Sequence, residues 1–167
     1  KAIFGYGNVA GNVSMTNLVS SSGVVATDVS GVGTARSQLA AASYGGDKAI
    51  FGFGYGGAYS SLTNLVNNSG VVSADVTGVG TARSLLAATS YGEDKAIFGY
   101  GESSGGDVSL TNLVSNTGVV AADVTGVGTA RAALAAASYG GDKGIFGFVT
   151  NLTKITNLVS NTGVVAA

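Results

Sequence analysis

The chain has 167 residues and a net charge of −1, only 10% of its residues are charged, and it contains neither cysteine nor histidine. This composition excludes disulfides, thiol or imidazole catalysis and cysteine or histidine metal ligands. So few lysines and arginines form no basic patch for nucleic acid. We therefore expect no enzyme activity, no catalytic residue, no cofactor and no metal site. No apolar run approaches about 18 residues, so no membrane span is expected, and no targeting leader is visible.

A fixed period organises the whole chain. The words Lys-Ala-Ile-Phe-Gly or Lys-Gly-Ile-Phe-Gly begin at Lys1, Lys48, Lys95 and Lys143, so successive copies are 47, 47 and 48 residues apart. The fourth copy is incomplete at Ala167. A chain of this length can bury one core, and we treat residues 1–167 as one repeat domain with copies starting at 1, 48, 95 and 143.

The stretch 34–80 shows how one copy is built. It has four short apolar runs, at 35–44, 48–54, 62–66 and 71–76, with turn residues rich in Gly and Asn between them. Short runs with β-branched residues and a turn roughly every ten residues predict four strands. The runs are apolar on both faces, so we expect each sheet to pack between two others.

The first turn, at 45–47, differs between copies in an informative way. Its first residue is glycine in every copy, whereas its second residue is Gly46 in one copy and Glu93 in the next. We therefore expect the first position to need a positive φ and the second position not to need one. Asp47 and its equivalents precede a lysine, and because adjacent strand residues point to opposite faces, we expect no acid–base pair there.

The run from Thr34 to Gly45 is also compatible with a helix, because Thr34 is a good N-cap, Ala and Leu favour helices, and Gly45 would end one. A helix there would make the protein a ββα-type repeat array. We favour a strand, because alanine suits the crowded inner strand near the axis of a β-propeller. Propellers repeat four-stranded blades radially, with repeats of roughly 40 to 50 residues.

The order of motifs in each copy resembles that of a kelch repeat. Residues 83–123 contain, in order, an arginine, a small apolar run, an Asp-Lys turn, the run Ala-Ile-Phe-Gly-Tyr-Gly, a variable loop and two further apolar runs. The resemblance covers the whole chain and implies an all-β propeller of four-stranded kelch-like blades, with about 3.75 blades present. The repeated motif Asp-Lys-Ala-Ile-Phe-Gly-Tyr-Gly is also similar to repeats in phage and marine environmental proteins. This similarity implies a virion or tail-fibre setting and an extracellular or virion-surface location.

The arginines recur once per copy, before the first run. They would either line the mouth of a polar channel or pair with aspartates, and a position repeated in every unit favours structural ion pairs. Aspartates of the fourth run are the preferred partners, and those of the first turn are the alternative. The predicted structural ion pairs involve Arg36, Arg83, Arg131, Asp28, Asp75 and Asp123.

Four segments vary between copies while their flanks hardly change: 8–13, 55–60, 102–108 and 149–154. A fixed scaffold with one diversified loop is typical of a recognition surface, although loops also tolerate neutral change, and both interpretations stay open. The candidate binding residues are Asn8, Asn12, Tyr55, Tyr59, Glu102, Asp107, Asn151 and Lys154. They mix amide, aromatic, acidic and basic side chains, so no phosphate ligand is expected.

A propeller-type array that is open at both ends exposes strand edges, and exposed edges favour pairing with other chains. We expect a homo-oligomer or a piece of a longer propeller chain. The favoured function is a non-enzymatic structural or adhesive module whose partner is a glycan or a protein surface. The alternative is a carbohydrate-binding, lectin-like propeller. A copper enzyme of the galactose-oxidase kind is disfavoured, because its metal site needs histidine and cysteine.

Overall fold

The computed structural model describes residues 1–148 and 154–166, and these residues form β-strands and no helix. The predicted all-β class is confirmed. The ββα alternative is wrong, because the stretch from Thr34 to Gly45 contains the strand Ala40–Tyr44 and no helix. Within the described ranges, no helix is therefore long and apolar enough to cross a membrane.

The strands form four antiparallel sheets, which follow one another along the chain, and one short hairpin. The first sheet consists of β1 (Ala2–Asn8) and β2 (Asn12–Val19). The second consists of β3 (Ala40–Tyr44), β4 (Lys48–Gly52) and β5 (Thr63–Val66). The third consists of β6 (Ala87–Tyr91), β7 (Lys95–Gly99) and β10 (Thr111–Val114). The fourth consists of β11 (Ala135–Tyr139), β12 (Lys143–Gly147) and β13 (Thr156–Val159), and the hairpin of β8 (Glu102–Ser103) and β9 (Gly106–Asp107).

The first apolar run becomes a strand later than predicted. It is extended only from Ala40, because Gln38 has a φ of 57°, in the left-handed region. Leu85 and Ala133, at the equivalent positions, have φ values of 53° and 54°. A left-handed residue cannot belong to an extended strand, so β3, β6 and β11 are each limited to five residues.

The fourth apolar run is not a continuous strand. It meets the third strand of its sheet only at isolated bridges, as between Val72 and Val66 and between Val76 and Thr63. Between these bridges the Ser73 carbonyl accepts a hydrogen bond from the Asn64 side chain, at 3.1 Å. The Ser73 amide also donates to the Leu65 carbonyl, at 2.8 Å, so the fourth run stays bonded to the third strand without forming a continuous ladder.

The turns after β3 and β6 each have two residues in the left-handed region. Gly45 and Gly92 have φ values of 60° and 57°, as the sequence predicted for the first position. The prediction for the second position is wrong, because Gly46 has a φ of 77° and Glu93 a φ of 70°. Glu93 therefore has a backbone conformation that residues other than glycine rarely adopt.

Neighbouring sheets pack through a phenylalanine that lies on a glycine of the preceding sheet. A Cβ at Gly52 would lie 2.7 Å from Cζ of Phe98, and a Cβ at Gly99 would lie 2.6 Å from Cζ of Phe146. Only glycine leaves room for these rings, and both rings are fully buried. The second and third sheets thus lie between two others, and no sheet within the described ranges closes on itself.

Candidate functional site

The arginines form the centre of a buried polar network. Arg83 is fully buried, and its guanidinium donates hydrogen bonds from Nε to the Tyr100 carbonyl (2.9 Å), from Nη2 to Oδ1 of Asn112 (2.6 Å) and from Nη1 to the Thr81 carbonyl (3.1 Å). Arg36 makes the same three kinds of bond in the second sheet. No guanidinium with this set of bonds faces solvent, so these side chains do not line a channel mouth.

The aspartate of the fourth run completes the network from the other side. Asp123 accepts hydrogen bonds from the amide and the hydroxyl of Thr81, at 2.9 and 2.7 Å, and from Nδ2 of Asn112, at 2.9 Å. Its contact with Arg83 is longer, at 3.8 Å, and the equivalent distance from Arg36 to Asp75 is 3.7 Å. The asparagine therefore bridges arginine and aspartate, a role that the sequence interpretation missed.

The pKa values of both Arg83 and Asp123 are lowered, by burial for the arginine and by hydrogen bonds for the aspartate. Burial lowers the pKa of Arg83 to about 10, and the nearby Asp123 carboxylate limits the decrease, so the guanidinium stays charged at neutral pH. Burial alone would raise the pKa of Asp123, but the hydrogen bonds from Thr81 and Asn112 outweigh it and lower that pKa. Both partners are thus charged in the folded protein, and each charge is hydrogen-bonded, as buried charges must be.

Each arginine also lies on an aromatic ring of the preceding sheet. The guanidinium carbon of Arg36 is 4.5 Å from the ring centre of Tyr6, and that of Arg83 is 4.1 Å from Phe53. These distances fit cation–π contacts. The rings belong to the Gly-Tyr-Gly and Gly-Phe-Gly motifs of the first three copies, and the aromatic residue that follows this glycine in every copy was the signal that could have identified this contact from the sequence.

The network is incomplete at the two ends of the array. Asp28 accepts a hydrogen bond from Asn17 at 2.8 Å, but no arginine lies against it in the described ranges. Arg131 bonds Asn157 at 2.8 Å and lies 3.9 Å from the Tyr100 ring centre. Its buried Nε has no hydrogen-bond partner among the described residues.

The aspartates of the first turn contact their neighbouring lysines instead of arginines. The distances from Asp47 to Lys48, Asp94 to Lys95 and Asp142 to Lys143 are 3.6, 3.0 and 2.7 Å. The expectation that these side chains diverge is wrong, because the aspartate precedes the strand, in a turn, and is not bound by strand alternation. The pairs lie at the surface, where such contacts contribute little to stability.

The variable loops of the first three sheets meet on one surface, which we name the loop face. Asn8 donates to Asn12 at 3.3 Å, and Asn12 donates across to the Tyr55 carbonyl of the next loop at 3.1 Å. The rings of Tyr55 and Tyr59 contact edge to face, with centres 5.5 Å apart. The loop face thus continues from one sheet to the next.

The third loop adds acidic groups to the loop face. Glu102 and Asp107 are partners in the β8–β9 hairpin. Burial raises the pKa of the Tyr59 hydroxyl, and the nearby Glu102 carboxylate raises it further. The Arg83 amide donates to the Ser60 carbonyl and the Ser84 amide to the Glu102 carbonyl, so the second and third loops are neighbours and six of the eight predicted binding residues share one surface. Lys154 is exposed, with no recorded contact to the others, and Asn151 lies outside the described residues.

Backbone hydrogen bonds anchor the second loop on the scaffold at both ends. The Ser37 amide donates to the Tyr55 carbonyl at 3.0 Å, and the Tyr55 amide donates back to the Ser37 carbonyl at 2.8 Å. The Arg83 amide then donates to the carbonyl of Ser60, at the end of the loop, at 3.2 Å. Because these bonds use no side chain, the loop sequence can change while the loop keeps its place.

The described residues contain no group of three or more acidic side chains that could hold a metal ion. No protein-family model matches the chain, and no curated protein is similar to it at a significant level.

Proposed function

We propose that the chain is a non-enzymatic structural and adhesive repeat module that presents the loop face to a ligand. The observation that carries this proposal is that different contacts join the sheets and anchor the loops. Buried arginine networks and Phe-on-Gly contacts join the sheets, whereas the loops are held by backbone hydrogen bonds. Exposed loop side chains such as Tyr55 are thus available for recognition.

A carbohydrate is the ligand class that the loop face favours. Tyr55 is exposed, Tyr59 is partly buried against it, and tyrosine combines an apolar ring with a polar hydroxyl. Asn12 on one side and Glu102 on the other supply amide and carboxylate groups for hydroxyls. A neutral, hydroxyl-rich ligand suits this mixture better than a phosphate, because no cationic side chain of the described loops lies among these groups. Adjacent loops would add weak contacts through multivalency.

A glycan array, followed by calorimetry with a soluble oligosaccharide, tests this proposal. We expect the protein to bind defined glycans and Tyr59→Ala to weaken binding by about tenfold or more. Replacing residues 55–60 with Gly and Ser should remove binding and leave the circular dichroism spectrum unchanged, since the loop is anchored by its backbone.

Tyr139→Ala is the matched control. Tyr139 is 40% exposed, much as Tyr55 is at 38%, but it ends β11 and is not part of the loop face. The proposal is wrong if no glycan is bound, or if binding survives the loop replacement.

We propose further that the stacked sheets are blades arranged radially, as in a kelch-like propeller, and that copies of the chain associate to extend the array. Support comes from the internal packing, in which every interface uses the same Phe-on-Gly contact and the same arginine–aromatic contact. Small-angle scattering would distinguish a ring-shaped array from an extended one.

A further inference from the structure

Each internal interface between sheets has two recurring contacts, and the first is the phenylalanine on glycine. Each ring comes from the central strand of the following sheet, and each glycine ends the central strand of the preceding sheet. The same ring also meets an aromatic residue of the preceding sheet edge to face, as Phe98 meets Phe53 at 5.2 Å and Phe146 meets Tyr100 at 5.3 Å.

The second recurring contact is made by the glycine of the turn after the third strand. A Cβ at Gly118 would lie 2.9 Å from Leu65 and 3.0 Å from Tyr44, both in the preceding sheet. Gly163 has the same two distances to Leu113 and Tyr91. The following sheet therefore offers a phenylalanine and a turn glycine, and the preceding sheet offers a glycine, an aromatic ring, a leucine and a tyrosine.

The first sheet has the phenylalanine and the turn glycine that a following sheet contributes to this interface, and both residues are exposed. Phe4, equivalent to the fully buried Phe98, is 64% exposed. Gly23, equivalent to Gly118, would have no atom within 4 Å of a Cβ. We name the surface of Phe4 and Gly23 the head face.

The fourth sheet has the residues that a preceding sheet contributes to this interface, and their large side chains are also exposed. Leu158, equivalent to Leu113, is 47% exposed, and Tyr139 and Phe148 are exposed although Tyr91 and Tyr100 are buried. Among the described residues, a Cβ at Gly147 would meet Thr156, at 3.3 Å, and no phenylalanine ring. We name the surface of Tyr139, Gly147, Phe148 and Leu158 the tail face.

We infer that the tail face of one chain binds the head face of a second copy. Phe4 of the second copy would lie on Gly147 and against Phe148, and Gly23 would meet Leu158 and Tyr139. The occupant is a second copy because each head residue has, in the tail face, the partner that its equivalents have inside the chain. This inference rests on the proposed association of copies and is independent of the ligand bound by the loop face. An interface of this heterologous kind leads to rings or open chains of copies.

Sedimentation velocity of the whole chain over a range of concentrations is the first test. We expect association of the wild-type protein, weakened by about 30-fold or more in Phe4→Asp and in Leu158→Asp. Mixing the two variants should restore one step of association and stop at a dimer, because each variant keeps one intact face.

Two substitutions at equally exposed positions serve as controls. Val24 and Val164 are each 65% exposed, and their equivalents Val71 and Val119 remain exposed inside the array, so they belong to no interface. Val24→Asp and Val164→Asp should associate as the wild type does. A wild-type chain that stays monomeric, a mixture that does not form the dimer, or an equal effect of the control substitutions would overturn the inference. Monovalent glycan binding by monomeric Phe4→Asp keeps a failure here distinct from a failure of the loop face.

Discussion

The third and fourth sheets start from nearly the same sequence, but only the third completes its polar network. The Nε of Arg83 bonds the Tyr100 carbonyl, and its Nη1 lies 3.8 Å from Asp123. Among the described residues, the Nε of Arg131 has no hydrogen-bond partner and its guanidinium contacts no aspartate. The third sheet is covered on both faces, and the fourth on one. The comparison teaches that a repeat of this kind draws its order from its neighbours as much as from its own residues.

The largest expected difference concerns the two arginines. Arg83→Met should lower the free energy of unfolding by about 3–5 kcal/mol, because it leaves Asp123 and Asn112 without their charged partner in a buried site. Arg131→Met should cost about 1–2 kcal/mol, because it removes the bonds to Asn157 and to the Thr129 carbonyl but also an unsatisfied buried Nε.

Urea unfolding followed by circular dichroism measures both variants under the same conditions. Methionine keeps an unbranched apolar side chain and removes the guanidinium, with the same loss of volume and of the ring contact in both variants. Equal losses in the two variants would mean that the network does not depend on the aspartate and the Nε acceptor, and the comparison between the sheets would fail.

A smaller difference is expected for the glycines that end the central strands. Gly99→Ala should destabilise the protein by about 1–3 kcal/mol, because the new Cβ would lie 2.6 Å from the buried Phe146 ring. Gly147→Ala should change the stability by less than about 0.5 kcal/mol, because the one described atom near its Cβ belongs to Thr156, at 3.3 Å.

These two variants should be compared by thermal unfolding at concentrations where the chain is monomeric. Neither glycine has a positive φ, so the substitution tests packing and not backbone strain. A loss of stability in Gly147→Ala as large as that in Gly99→Ala would show that the close approach of the ring is not the cause.

The sequence was sufficient for the central strands and insufficient for the extent of the strands beside them and for the contacts between sheets. The period predicted the central strands, because Lys48, Lys95 and Lys143 each begin one. It did not predict the late start of β3, because the left-handed φ of Gln38 follows from packing and not from the identity of that residue.

The candidate site divides in the same way. The variation between copies identified the loops, and the contacts from Asn12 to Tyr55 show that neighbouring loops meet. The arginines were recognised as structural, but the bridging role of Asn112 and the aromatic ring under each guanidinium require the geometry of two sheets at once. A single repeat, read alone, does not contain that information.

The smallest expected effect concerns the second residue of the first turn, where the second and third sheets differ by one side chain. Gly46 and Glu93 have nearly the same φ, 77° and 70°. A left-handed conformation costs a residue with a Cβ about 1–2 kcal/mol, and part of this is offset because glycine loses more conformational entropy on folding. Glu93→Gly should therefore stabilise the protein by about 0.5–1 kcal/mol.

The reverse substitution in the second sheet is the matched control. Gly46→Glu should destabilise the protein by a similar amount, and since a Cβ at Gly46 would meet no atom within 4 Å, the effect reports the backbone conformation alone. For a chain of this size about 1 kcal/mol corresponds to a Tm change of roughly 2–4 °C, which calorimetry resolves. If both substitutions shift the Tm in the same direction, side-chain contacts at the turn, and not its left-handed conformation, account for the difference between the two sheets.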